Sequence, residues 1–123
     1  MVKFYICEHC KNIITKIEDS KVPVVCCGEK MKELTANTVE AAVEKHIPEV
    51  KVEGDKVIVN VGSVTHPMLE NHYISWIYLE TEKGGQIKYC KETPTATFTV
   101  ADDKVVAVYA YCNLHGLWKY EVK

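Results

Sequence analysis

From Glu49 onward the chain alternates apolar and polar positions with a period of two. Val50 and Val52 point one way, and Lys51 and Glu53 the other. After the turn-forming Glu53-Gly54-Asp55 the alternation resumes at Val57, Val59 and Val61. A period of two is the signature of half-buried strands, and a Gly-containing break between two such runs predicts a hairpin. The same reading continues with YISWIYLE (73–80), a turn at Lys83-Gly84-Gly85, QIKYC (86–90) and ATFTV (96–100). A turn at Asp102-Asp103, KVVAVYAY (104–111) and LWKYEV (117–122) complete it. With 49–53 and 57–64 this makes about seven short strands at regular spacing and leaves no room for helices. The pattern predicts an antiparallel β-sandwich.

The pattern fails before residue 35. Residues 1–34 hold CEHC (7–10) and CCG (26–28) but little core material. Chains shorter than about 40 residues rarely fold without a staple, and a metal is the obvious one here. The chain is therefore expected to divide into a cysteine module, 1–35, and a sandwich, 36–123. The connector TANTVEAAVEKHIP predicts a short helix capped by Thr38 and running through Ala42, with Pro48 barring any extension.

Composition narrows the function. The chain is 47% hydrophobic and 26% charged, as expected of a globular protein, and its net charge of −2 gives no reason to expect nucleic acid or an anionic membrane as partner. No apolar run approaches the roughly 20 residues of a membrane span. The N-terminal MVKFYICEHC has no apolar signal core, so the expected location is the cytoplasm. In that compartment six cysteines point to metal ligation or catalysis rather than disulfides.

Cys7, Cys10, Cys26 and Cys27 form a C-x2-C…C-C set. Four thiolates in a tetrahedron suit zinc or a single iron, and the spacing does not choose between them. Two adjacent cysteines can both reach one metal, whereas a disulfide between neighbours is strained. His9 lies inside the first loop and is read as an exposed loop residue, because the thiolates already fill four positions.

Strand direction decides where the remaining histidines go. His46 precedes the first strand of the sandwich, at an end taken as the top. Following seven antiparallel strands up and down the chain brings His66, His72, Cys112 and His115 to that same end. A lone histidine is more often a loop or core residue than a ligand, and a lone cysteine is usually a small hydrophobe. Their convergence is the signal. His66 precedes Pro67, which holds it extended. Four imidazoles and one thiolate are too many for a structural zinc, which closes at four ligands. They suit an iron with five protein ligands and one open position, and an open position means chemistry.

The motifs now on the page are the cysteine set, EKHIP (44–48), THPM (65–68), NHY (71–73) and CNLHG (112–116). In this order and over nearly the whole chain they resemble the two-iron superoxide reductases, or desulfoferrodoxins. The resemblance implies an all-β chain, with a desulforedoxin-like or rubredoxin-like module followed by an immunoglobulin-like sandwich. It implies one iron on Cys7, Cys10, Cys26 and Cys27, with zinc possible there. A second iron would have His46, His66, His72 and His115 equatorial and Cys112 axial. Glu44 would match the glutamate that occupies the sixth position of the ferric form, and Lys45 the lysine beside the open one. The implied reaction is the one-electron reduction of superoxide to hydrogen peroxide, a defence against oxidative stress. Rubredoxin or a similar small redox protein would be the donor, and the chain would be a homodimer. Read from residues alone, Glu44 and Lys45 are a solvated charge pair. Cys90 belongs to neither set and is expected to pack at a strand end. A non-enzymatic electron carrier with one iron and a zinc-stapled binding module are the competing readings; the first leaves the convergent histidines unexplained, and the second predicts a colourless protein.

Overall fold

The computed structural model describes residues 1–122 and divides the chain into two compact units, Met1–Thr35 and a second beginning at Ala36. The first unit is built from β1 (Phe4–Ile6), β2 (Ile13–Thr15), β3 (Val25–Cys26), β4 (Glu29–Lys30) and β5 (Lys32–Glu33). β1 lies between β2 and β5, antiparallel to both, and β3 and β4 form a separate hairpin. Only Phe4 and Cys7 of this unit are buried hydrophobic residues, so its apolar core is minimal.

In the second unit a single helical turn, α1 (Val43–His46), leads into β6 (Pro48–Glu53) and β7 (Lys56–Val61). They are followed by β8 (Ile74–Thr81), β9 (Gly85–Tyr89), β10 (Thr95–Thr99), β11 (Val105–Cys112) and β12 (Gly116–Glu121). One sheet has the order β10-β7-β6 and the other β12-β11-β8-β9, with every pairing antiparallel. This is the expected immunoglobulin-like sandwich. The inward positions of both sheets supply one core: Val57, Val59, Val61 and Phe98 from one, and Ile74, Ile77, Leu79, Val108, Ala110 and Cys112 from the other.

Strict alternation does not explain why Ile74 and Ile77 are both in the core. The register between β8 and β11 shifts between Tyr111 and Cys112, so that Tyr111 pairs with Trp76 and Cys112 with Ile74. The extra residue, Ser75, is a bulge that resets which side of the strand faces inward. Ile74 is thereby turned into the core opposite Cys112, which follows Val108 and Ala110 inward by unbroken alternation on β11. β7 ends at Val61, three residues before the sequence pattern expects, because Gly62 turns the chain at φ 84°.

The helix falls elsewhere than expected. Thr38 caps nothing helical, and residues 36–42 are irregular. Asn37 is drawn to the edge of β12 instead. Its N–H donates to the Leu117 carbonyl at 3.0 Å, and its side-chain oxygen accepts from Lys119 N at 2.9 Å. A residue tied to an edge strand cannot also begin a helix, and its attachment shields that edge. The turn forms later, at Val43–His46, where Glu44 and Lys45 are exposed and His46 is buried.

Candidate metal centres

The cysteine module makes its site from two tight turns. β1 ends at Ile6, and Cys7 then donates its N–H to the Asn12 carbonyl at 2.9 Å while accepting Lys11 N–H at 2.8 Å. Lys11 reverses the chain at φ 68°. The β3–β4 hairpin pairs Cys26 with Glu29 across a two-residue turn, Cys27-Gly28, whose φ values are 53° and 77°. Two positive φ angles are the requirement of a type I′ hairpin turn. The adjacency of Cys26 and Cys27 is thus resolved, with one on the strand and its neighbour in the reversal.

All four sulfurs lie within 4.8 Å of one another, and Cys10 Sγ is 3.6 Å from Cys26 Sγ. A tetrahedron with metal–sulfur bonds of about 2.3 Å has sulfur–sulfur edges of roughly 3.8 Å. The thiols cannot all ionise unaided. The backbone N–H of Cys10 and hydrogen bonds from neighbouring thiols lower Cys7 to about 6. Cys27 is pushed up to about 12 by its thiol contacts, first with Cys7 and then with Cys10. A cation at the centre removes that conflict, so the donor set fits zinc or iron. His9 points away from the sulfurs to Glu29, 3.0 Å from its carboxylate.

In the sandwich, α1, the loop after β7, the turn before β8 and the β11–β12 hairpin each bring one imidazole to the same end. The C-x-x-H spacing has a local cause. Cys112 pairs with Gly116 across a three-residue loop, Asn113-Leu114-His115, and Gly116 has φ 78°. A three-residue hairpin with glycine in the left-handed region is a common turn. It puts His115 Nδ1 3.8 Å from Cys112 Sγ.

The four rings form a near-square. Neighbouring centroids are 4.7 Å (His46–His66), 4.7 Å (His66–His72), 5.1 Å (His72–His115) and 4.9 Å (His115–His46) apart, and the His46–His72 diagonal is 6.4 Å. Adjacent rings are inclined at 77° to 89°, so each presents its edge to the next. The ligand atoms of His46, His66, His72 and Cys112 all lie within 4.8 Å of one another, and His115 closes the fourth side.

The protons show what the square is for. His46 Nδ1–H donates to the Ala42 carbonyl at 2.7 Å, and His66 Nδ1–H to the Pro67 carbonyl at 2.7 Å. A carbonyl only accepts, so in each neutral ring Nε2 carries a lone pair. Those two Nε2 atoms stand 3.2 Å apart, a contact no proton can bridge while both rings are neutral. Burial keeps them neutral, lowering His46 and taking His66 down to about 4. His72 Nε2 is buried and has no hydrogen-bond partner. Metal–nitrogen bonds of about 2.1 Å at right angles would hold adjacent nitrogens roughly 3.0 Å apart. The observed 3.1 Å (His46 to His115) and 3.2 Å match that spacing. Lone pairs converging without protons are a cation site, and four nitrogens with one sulfur suit iron.

Two supporting residues carry no signal in the sequence pattern. Trp118 stacks on His46 at 4.8 Å and 30°, and its Nε1–H donates to the His115 carbonyl at 3.1 Å. Asn113 ties the His72 turn to the Cys112 hairpin. It accepts Tyr73 N–H at 2.8 Å and donates to the Asn71 carbonyl at 3.0 Å. Glu44 and Lys45 lie exposed on α1 beside His46, and the Lys45 charge disfavours protonation of His46 and His72. Cys90 packs against the sandwich core, and burial pushes its thiol up to about 11.

The desulfoferrodoxin sequence profile matches residues 38–121. The chain belongs to the desulfoferrodoxin family. It is 43% identical to a desulfoferrodoxin homolog of Archaeoglobus fulgidus over 97% of this chain and 96% of that protein. It is also 43% identical to the desulfoferrodoxin of Nitratidesulfovibrio vulgaris, over 97% and 95%. A crystal structure of the superoxide reductase from Treponema pallidum superposes with a TM-score of 0.82 at 39% identity, covering 98% of this chain and 99% of that one. Both cysteine turns and all four imidazoles of this chain lie within the aligned span.

Proposed function

We infer that the chain is a superoxide reductase that converts one superoxide, one electron and two protons into hydrogen peroxide. The observation that carries this reading is the square of four imidazole edges beside a buried thiol, with the His46 and His66 Nε2 lone pairs turned into it. Five donors leave one position of an octahedral iron for a substrate. The family membership and the Treponema pallidum neighbour support the same activity.

The second unit, 36–123, would hold the catalytic iron on His46, His66, His72, His115 and Cys112. The first, 1–35, would hold a second iron, or zinc, on Cys7, Cys10, Cys26 and Cys27. Ferrous iron held there would supply the electron and a site for the anion. The residues do the rest. Exposed Lys45 raises the local concentration of superoxide, an effect that salt weakens. Its ammonium orders the water that delivers protons to the reduced anion. Cys112, bound as thiolate, would push electron density toward the ion and so favour release of the peroxide product. Glu44 shields the open position once the electron has left. The donor would be rubredoxin or a similar small redox protein, and the protein would act as a cytoplasmic homodimer. No described helix is long and apolar enough to cross a membrane.

The test is an anaerobic reduction followed by a measured pulse of superoxide, with peroxide and dioxygen quantified together. One peroxide per superoxide, without dioxygen and limited by the reduced protein supplied, is the expected result. Dioxygen at half the superoxide consumed would mean dismutation, and no acceleration over spontaneous decay would leave only an electron carrier.

A further inference from the structure

The outer face of the β12-β11-β8-β9 sheet carries an aromatic stripe that neither metal site uses. It begins at Tyr111, the residue before Cys112. Tyr111 pairs in register with Trp76, their rings stacked at 5.8 Å and 6°. On the next rung of the same two strands, Tyr109 faces Tyr78 at 6.4 Å and 67°. The rung after that pairs Ala107 with Glu80, whose Oε1 accepts the Tyr109 hydroxyl proton at 3.1 Å. The stripe is not solvent-exposed decoration. Trp76, Tyr109 and Glu80 are 6%, 3% and 9% exposed. Gly85, opposite Glu80, leaves room for the Tyr78 ring, since a Cβ there would collide with the Tyr78 hydroxyl.

A face that needed only covering would be cheaper in leucine and valine. Burying a carboxylate costs desolvation, and here it is spent on a phenolic proton. Oxidising a phenol by one electron makes its O–H strongly acidic, so the electron leaves easily only if a base takes the proton at hydrogen-bond distance. Glu80 is such a base. The Lys119 ammonium lies 5.6 Å over the Tyr109 ring, paired with the Glu121 carboxylate at 2.7 Å, so coupling of electron loss to proton loss falls to Glu80. Neighbouring rungs of one strand lie about 7 Å apart, so each electron step along the stripe is short.

We propose that the Tyr111–Trp76–Tyr78–Tyr109 stripe, with Glu80 as its proton acceptor, is an electron relay that protects the sandwich metal centre from peroxide. This rests on the reductase reading, because peroxide is that reaction's product. Reducing hydrogen peroxide to two waters takes two electrons and two protons. The protons come from solvent. Ferrous iron gives one electron and Tyr109 the other, through the stripe. The Tyr109 proton passes to Glu80, leaving a neutral tyrosyl radical and a protonated carboxyl. The small redox protein that reduces the metal then returns one electron to Tyr109, and Glu80 returns the proton. Without the relay the second oxidising equivalent stays at the metal and attacks the histidines.

The experiment mixes the reduced, iron-loaded full chain with equimolar hydrogen peroxide, freezes it at intervals and records electron paramagnetic resonance. Superoxide reduction is measured on the same samples. The expected result is a tyrosyl radical in the unaltered chain that is lost in Tyr109→Phe, with superoxide reduction unchanged. Glu80→Gln, which keeps the ring and removes the base, should lower the radical yield, and it carries the test if Tyr109→Phe does not fold. Mass spectrometry should show more oxidised histidine in both variants. No radical in a chain that reduces superoxide normally overturns the relay and leaves the reductase reading standing. So does an undiminished radical in Tyr109→Phe. A chain that fails to reduce superoxide refutes the reductase reading, and the radical measurement still decides the relay because peroxide is added directly.

Discussion

At the scale of single residues, Trp118 matters as much as the histidines it serves. It lies flat on His46 and holds the carbonyl of His115, so it fixes two corners of the square. Groups that orient ligands in this way typically govern metal affinity by about 10- to 100-fold. Trp118→Phe keeps a ring over His46 but leaves the His115 carbonyl without that donor. It is expected to weaken iron binding by about tenfold in competition with a chelator, with the sandwich still folded. Lys45→Ala is expected to leave iron content intact, slow superoxide capture at low salt and flatten its salt dependence. An unchanged capture rate at low salt would end the steering role. The candidate donors were legible in the sequence because histidine and cysteine are scarce and their strand ends coincide. Trp118 and Asn113 were not, because their work is done through backbone partners that only the folded hairpin and turn provide.

At the scale of elements, the strands could be read from alternation, while the helical turn and the bulge could not. Alternation reports which face is buried, and seven runs of it were enough to place the top of the sandwich. It cannot report Ser75, an extra residue that switches faces, nor the capture of Asn37 by β12 that defers the helix to Val43. α1 depends on Gly62. A Cβ there would meet the Glu44 carbonyl at 2.6 Å and Lys45 Cα at 2.7 Å, and its φ of 84° disfavours any side chain. The loop also holds α1 through Val64 N–H to the Glu44 carbonyl at 2.8 Å. Gly62→Ala is therefore expected to cost about 1–2 kcal/mol from backbone conformation alone, and more from the clash. Urea denaturation would read this as a lower midpoint. The displaced α1 should also change the absorption of the iron-loaded sandwich, which a purely global loss of stability would not do below the transition.

At the scale of the whole molecule, the two units are stabilised by different means, and each has its own vulnerability. The sandwich has a large apolar core, whereas the first unit buries only Phe4 and Cys7. Below about 40 residues such a chain depends on its staple. Chelation should abolish amide protection through Met1–Thr35 while β6–β12 remain protected, as hydrogen exchange would show. The sandwich has an alkaline weakness at Cys90. Burial raises its thiol from 9.0 to about 11, so the unfolded chain loses this proton first as the pH climbs. The stability due to the neutral thiol is complete below about 9 and is lost between about 9 and 11. After discounting for partial exposure this amounts to about 1–2 kcal/mol. Cys90→Ala should show a correspondingly smaller drop in stability between about pH 8 and about pH 10.5.

The two hydrogen bonds that lock His46 and His66 to backbone carbonyls reach beyond geometry. They leave the His46 and His66 Nε2 atoms in place and free of protons before any ion arrives. Such a rigid array cannot discriminate by closing around one ion and not another. Affinity then follows the general order of the divalent metals, in which copper and zinc outrank ferrous iron. The five-donor geometry that suits iron is accordingly set against whatever ion the cell supplies while the chain is folding. Protein made in zinc-rich, iron-poor medium would carry a well-folded sandwich with an inert ion in the square.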